Sequence, residues 1–312
     1  MPSNLRRRPA RPSGLILGTA LILALIFIVI IGLFLVLSAF TPSLIGQCVA
    51  VVDVNMPLTV EGAPPTLFDA GYLGSEELAM EIEALDQRQD IGAVVFVFNS
   101  PGGSVVATRE VYTAVEELEK PSVSYFREVA ASGAYYVAAG TDHIVSDPDA
   151  ITGSIGVIAT FAQMQGLFEK IGVNVTTVQS GPYKDIGSSY REMTEAEQAI
   201  FQELIDEVYQ EFRGIVLENR GDRLNMAIFD NVTDGRILSG RQAYRAGLVD
   251  ELGDKKDAIQ RAADMASISY EDPADIRICP IDTAVSEGGL FGVEGIFRRL
   301  QAEARTPSLS YK

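Results

Sequence analysis

Two side chains in this sequence have the makings of a nucleophile and its base. Ser132 lies in the run Ala130-Ala131-Ser132-Gly133-Ala134-Tyr135-Tyr136, and Lys184 in Ser180-Gly181-Pro182-Tyr183-Lys184-Asp185. The chain has a single histidine, His143, so an activated serine here uses that residue or a different base. Lysine fills the role once it is held neutral, although a free lysine titrates near 10.4. A Ser-Lys pair of this kind performs acyl transfer, and peptide hydrolysis is its commonest outcome. His143 follows Ser132 by 11 residues with no evident acidic orienter beside it, so it is the weaker candidate.

The supporting groups are readable as well. A serine opening a helix among small residues lets a substrate backbone approach, and the N–H of Gly133 is placed to receive a developing oxyanion. The plain alternative is a helix cap. The Asn99-Ser100-Pro101-Gly102-Gly103-Ser104 turn follows an apolar run and frees backbone N–H groups toward a ligand; alternatively it is only a tight strand-to-helix turn. Ser154, in Thr152-Gly153-Ser154-Ile155-Gly156, is a hydroxyl that would orient the lysine, or else a turn serine. Lys184 itself reads either as a base or as a solvated surface lysine. Asp185 next to it would hold the amine protonated if the two groups met, so the carboxylate is expected to point away.

These groups need a scaffold. Val49–Val54, Ala93–Phe98 and Val123–Phe126 read as strands, the second as a run buried on both faces of a parallel sheet. Ser75 is expected to cap a helix with Leu78, Ile82 and Leu85 on one face. A second helix carries Val111, Val115 and Leu118 and ends before Pro121. A turn then leads into the Ser132 helix, which ends near Gly140. His143–Val145 is a strand, 161–171 a helix, and Val173–Val178 a strand leading into the Lys184 loop. Thr194 and Glu197 form a capping box that opens a long helix. Its stripe of Ile200, Leu204, Val208, Phe212 and Ile215 is expected to pack on its own sheet. Strands alternating with helices make this an α/β domain around a mainly parallel sheet.

At the N-terminus, residues 14–40 carry no charge and 15–37 are almost wholly apolar. A membrane span needs about 20 such residues, and a signal-peptide core only about 7–15. The reading is a retained anchor at 14–40, with 1–13 (Arg6, Arg7, Arg8 and Arg11) in the cytoplasm and 41–312 outside. The formal charge of −17 disfavours nucleic acid and anionic lipid as partners. Two cysteines, Cys48 and Cys279, leave a disulfide open but make no framework, and one histidine makes a zinc site improbable. No metal and no cofactor is expected.

In order along the chain stand Asn-Ser-Pro-Gly-Gly at 99–103, Ala-Ser-Gly-Ala-Tyr-Tyr at 131–136 and Thr-Gly-Ser-Ile-Gly-Val at 152–157. Gly-Pro-Tyr-Lys-Asp-Ile-Gly-Ser at 181–188 and Met-Thr-Glu-Ala-Glu at 193–197 follow. Gly-Arg-Ile-Leu-Ser-Gly-Arg-Gln-Ala at 235–243 and Gly-Leu-Val-Asp-Glu-Leu-Gly at 247–253 close the series. Together they resemble the signal peptide peptidase A family of membrane-anchored Ser-Lys proteases, in its short, single-repeat form. The resemblance implies Ser132 as nucleophile, Lys184 as base and Ser154 as the lysine-orienting hydroxyl, with Gly103 and Gly133 as the oxyanion hole. It implies a Clp-protease/crotonase-like fold of stacked β-β-α units after one transmembrane helix. It also implies a ring- or dome-shaped homo-oligomer, in some members with sites shared between neighbouring subunits. The implied substrates are remnant signal peptides and other hydrophobic or unfolded peptides. One departure is Ser188-Ser189-Tyr190, where Ser-Pro and an aromatic are expected, and the chain after Gly253 carries little resemblance. A stomatin-processing membrane protease shares the same plan. A crotonase-like acyl-CoA enzyme is the alternative from another class, but it would be cytoplasmic and basic at its CoA site.

Overall fold

The structure is a computed structural model and describes residues 23, 25–32, 47–64 and 71–281. The chain divides into two units, residues 1–46 and 47–312. In the first, residues 25–32 are helical with exposed apolar side chains such as Phe27 and Ile28. The expected anchor over 14–40 otherwise lies outside the described residues, as does the basic 1–13 segment. Among the described residues no helix is long and apolar enough to cross a membrane.

The second unit is built on one mixed sheet. Its strands are β1 (Cys48–Val54), β2 (Ile91–Ser100), β3 (Ser122–Ala131), β4 (His143–Ser146), β5 (Ile151–Gly153), β6 (Ile237–Ser239), β7 (Glu251–Leu252) and β8 (Ile278–Pro280). The path runs β6-β5-β3-β2-β1-β8, with β4 joining β3 to β7. Every pairing is parallel except β5 with β6. Parallel neighbours require crossovers, and the helices supply them on both faces of the sheet.

The unbroken apolar run of β2 is explained by those two faces. Side chains alternate along a strand. Val94, Phe96 and Phe98 therefore enter one core with α1 (Ser75–Ala84), α2 (Val105–Glu116) and α3 (Gly133–Ala139). Ala93, Val95 and Val97 enter a second core against Ala258, Ile259, Ala262 and Ala263. Those four belong to α8 (Lys255–Met265), capped by the Asp254 carboxylate. The chain after Gly253 thus covers one face of the sheet across β1, β2, β3 and β4. It then adds β8 beside β1, where Cys48 and Cys279 form a disulfide.

Several local expectations change. Ser75 is the first residue of α1 rather than its cap, which is Gly74, and its hydroxyl bonds Glu110 instead. The strand starting at Val123 does not turn after Phe126 but continues to Ala131. It pairs first with β4 and then with β5, leaving Arg127 and Glu128 exposed between. The helix expected from Phe161 begins only at Gln165, as α4 (Gln165–Ile171), and buries none of its residues. Val173–Val178 is not a strand: no neighbour offers it a ladder, and Val178 is 96% exposed.

The capping box of Thr194 and Glu197 does open α5 (Glu195–Arg220), a helix of 26 residues. Its stripe does not pack as expected. Phe212 and Val216 are buried, but Leu204 is 52% exposed and Ile200 and Val208 are only partly covered. The N-terminal half of α5, with residues 158–193, therefore forms an arm that buries little against its own sheet. After it, α6 (Met226–Val232) and α7 (Gly240–Ala246) return the chain to β6 and β7.

Candidate active site

Strand β3 delivers Ser132 to a sharp turn. The register Ala131 to Gly153 places Ser132 and Ser154 side by side, each one residue beyond its strand. Both adopt the left-handed φ that non-glycine residues avoid, 54° at Ser132 and 52° at Ser154. Backbone bonds hold them there. Ser132 N–H donates to Gly153 O at 2.9 Å, Tyr136 N–H donates to Ser132 O at 3.0 Å, and Ser154 N–H donates to Arg236 O at 2.8 Å. The Ser132 side chain makes no capping hydrogen bond with α3. Ser132 stands at the N-cap position without its side chain capping the helix, so its hydroxyl is not spent there.

The Pro101-Gly102-Gly103 turn wraps this serine closely. Gly102 has φ 95°, and a Cβ there would lie 2.5 Å from Gly133 N and 3.0 Å from Ser132 Cβ. Gly103 forms a parallel bridge with Leu58 through its neighbours: Leu58 N–H donates to Gly102 O, and Ser104 N–H to Leu58 O. In such a bridge the central residue's own N–H faces the other way, here toward Gly133. A Cβ on Gly133 would stand 3.2 Å from Gly103 N and 2.3 Å from Thr108 Oγ1. Among the described residues neither glycine N–H has an acceptor. Two unpaired donors beside a strained serine are the arrangement that stabilises a tetrahedral oxyanion.

Ser132, Ser154, Gly103 and Gly133 open onto one cleft of about 860 Å³. Val105, Val208, Tyr209 and Phe212 give it apolar walls, and Asp206, Asp230 and Asp234 give it an acidic rim. One wall carries a network that sequence reading missed. Arg109 donates to both carboxylate oxygens of Glu211, at 3.0 and 2.6 Å, and Tyr136 OH donates to Glu211 at 3.3 Å. Burial, then the Glu211 charge, pushes the Tyr136 phenol up to about 12. The ring packs between Tyr112 and Phe212, each with its centroid 5.0 Å away. This joins α2, α3 and α5 across the cleft. Thr108 was also missed, and its buried hydroxyl has no hydrogen-bond partner among the described residues.

Lys184 stands elsewhere. It is exposed, lines no part of the cleft and bonds neither serine. Its turn is closed by backbone bonds from Lys184 N–H to Gly181 O and from Ser188 N–H to Asp185 O. The Asp185 carboxylate is bound by Arg191 at 2.9 and 2.7 Å rather than facing the amine, as the sequence suggested. His143 also lies outside the cleft. It does have acidic neighbours, which the sequence did not reveal: Glu251 at 3.2 Å and Asp250 at 3.9 Å. Burial nonetheless pushes its imidazole below the usual value. Among the described residues the one group with metal-ligand proximity is Cys48, Asp90 and Cys279, whose sulfurs the disulfide withdraws.

Residues 114–269 match the family model described as peptidase family S49. A protein of Methanocaldococcus jannaschii named as a protease is 41% identical over 190 residues, covering 60% of each chain. One of Synechocystis, also named as a protease, is 41% identical over 213 residues, covering 67% of this chain and 74% of its own. A protein of Enterococcus faecium named as the signal peptide peptidase SppA is 33% identical over 196 residues, covering 62% of this chain and 56% of that one. The chain thus spans between about half and three quarters of the length of these relatives.

Proposed function

The chain belongs to peptidase family S49, the family of signal peptide peptidases, and on that premise we propose that it is a serine endopeptidase using a Ser132-Lys184 dyad. The observation that carries this reading is the strained Ser132 turn beside the two unpaired N–H groups of Gly103 and Gly133. Membership in a peptidase family sets acyl-CoA chemistry aside.

In the proposed reaction, neutral Lys184 Nζ takes the proton from Ser132 Oγ as that oxygen bonds to the scissile carbonyl carbon. The carbonyl π electrons move to oxygen, where the N–H groups of Gly103 and Gly133 meet the charge. Collapse breaks the C–N bond, and the Lys184 ammonium returns its proton to the departing amine. A water activated by the same lysine then hydrolyses the Ser132 ester. Ser154 would hold the amine toward Ser132.

Because the chain's own Lys184 is exposed and outside its own cleft, the lysine is proposed to come from a neighbouring copy. The weakly packed arm that carries α4 and the Lys184 turn would enter that copy's cleft. There burial would favour the neutral amine. A Clp-protease/crotonase-like ring or dome would bring successive subunits into this relation. The proposed anchor over 14–40 would hold it on the outer face of the cytoplasmic membrane, where remnant signal peptides and unfolded chains are its substrates.

Mixing two dead variants tests the shared site. S132A and K184A should each be inactive alone. Subunits of the two exchanged into one oligomer should regain up to roughly a quarter of wild-type turnover, since an intact Ser132 then meets an intact Lys184. A lysine acting within its own chain gives no recovery, and an active K184A oligomer ends the dyad reading altogether.

A further inference from the structure

The turn that carries Lys184 is supported by neither a strand ladder nor a helix of its own. Besides its own backbone bonds and Gln179 Nε2, which donates to Pro182 O at 3.4 Å, a guanidinium ties it to the helix that follows. Arg191 Nε and Nη2 donate to the two oxygens of Asp185, the residue next to Lys184, at 2.9 and 2.7 Å. Nη2 and Nη1 also donate to the two oxygens of Glu197, the latter at 2.8 Å, and Nη1 reaches the Glu192 carbonyl at 3.0 Å. All five N–H groups of the arginine are used.

Glu197 is itself fixed. It is 1% exposed and closes the capping box of α5, accepting from Thr194 N–H at 2.9 Å and from Thr194 Oγ1 at 3.0 Å. One side of the guanidinium therefore grips the neighbour of Lys184, and the other grips the first turn of a 26-residue helix. The fork also occupies the carboxylate that stands one residue from the amine. Lysine in place of Arg191 keeps the charge but has only three donors and no planar fork.

We propose that Arg191 is a positioning residue for Lys184: it staples the lysine-bearing turn to the rigid start of α5 and keeps Asp185 from the amine. This rests on the Ser132-Lys184 reading, and it adds a residue that acts only through Lys184. Misplacing a reacting group by about 1 Å costs on the order of 10²-fold in rate. Arg191 spends its donors on Asp185, Glu192 and Glu197 and offers none to a substrate, so substrate binding should be spared.

The test is a set of variants in the full-length protein, assayed on a peptide substrate and on a 4-nitrophenyl ester for slow residual rates. R191Q should lower kcat about 10- to 100-fold while KM stays within about twofold. In the K184A background, R191Q should lower the residual rate no further, because the residue through which it acts is gone. R191K, which keeps the charge and loses the fork, should fold and still lose most of kcat; it decides the matter if R191Q fails to assemble. Wild-type kcat in either arginine variant would overturn the proposal, as would an equal further loss from R191Q on top of K184A. Peptide turnover by K184A near the wild-type rate, rather than a slow residual rate on the ester, would instead sink the underlying dyad, whatever Arg191 does.

Discussion

A buried hydroxyl without a partner costs stability, and the one on Thr108, at the back of the cleft, has none among the described residues. Its oxygen fills the space where a side chain on Gly133 would go, 2.3 Å from the ideal Cβ position. That contact is why only glycine fits at 133, and it couples the two residues. Gly133→Ala should push the N–H at 133 away from that of Gly103, lowering kcat by about 10²–10³, the usual effect of losing one oxyanion donor. Thr108→Ala in that background opens the space and should recover part of both the rate and the melting temperature. Steady-state kinetics and thermal melts of the two single variants and the double variant check this. Purely additive losses would mean that Thr108 does not set the position of the oxyanion donors.

At the scale of elements, the junction of the Lys184 turn with α5 is an acid-labile joint. Arg191, and then the Thr194 N–H, hold the Glu197 carboxyl down to about 2, against an ordinary value near 4.5. Arg191 likewise lowers Asp185. A carboxyl whose folded value is depressed stabilises the fold above its unfolded value, and that stabilisation is lost as pH falls toward the folded value. The joint should therefore hold at pH 5 and loosen between about 4.5 and 2. Hydrogen exchange of residues 183–197, corrected for the intrinsic pH dependence, should accelerate there. Glu197→Gln should exchange fast at pH 7 already. Unchanged protection at pH 3 would contradict the assignment. The capping box was readable because its signal is local, Thr194 followed three residues later by Glu197, and β2 was readable because burial on two faces leaves an unbroken apolar run. Val173–Val178 misled because β-branched residues favour a strand only where a neighbour supplies the ladder. The turn expected after Phe126 failed in the opposite sense: Arg127 and Glu128 are exposed, but β3 passes there from β4 to β5 and needs no cover. Ser132, Ser154 and the two glycines could be named from sequence because short motifs mark them. The Arg109-Glu211-Tyr136 network could not, since 102 residues separate Arg109 from Glu211. Nor does any local pattern show that Lys184 lies outside its own cleft.

For the whole molecule, the least legible stretch proved structural. Residues after Gly253 supply α8, which covers one face of the sheet, and β8, which lengthens the sheet beyond β1. The Cys48-Cys279 disulfide closes this arrangement across a sequence separation of 231. Such a bridge belongs to oxidising compartments, in keeping with the proposed position of the domain outside the cytoplasmic membrane. It ties the first strand to the last, so the cross-link restricts nearly all of the described domain in the unfolded state. In the chain-entropy picture long loops gain most, and native disulfides typically contribute about 2–4 kcal/mol. The pair is buried at the β1 edge, and neither cysteine lines the cleft with Ser132. The Cys48→Ser/Cys279→Ser variant should therefore keep kcat within about twofold at 25 °C while losing stability of that order in urea titration. Expressed without an oxidising compartment, the wild type should carry two free thiols and denature at the same urea concentration as the double variant. Equal midpoints for the oxidised wild type and the double variant would show that the cross-link does not hold the terminal strands together.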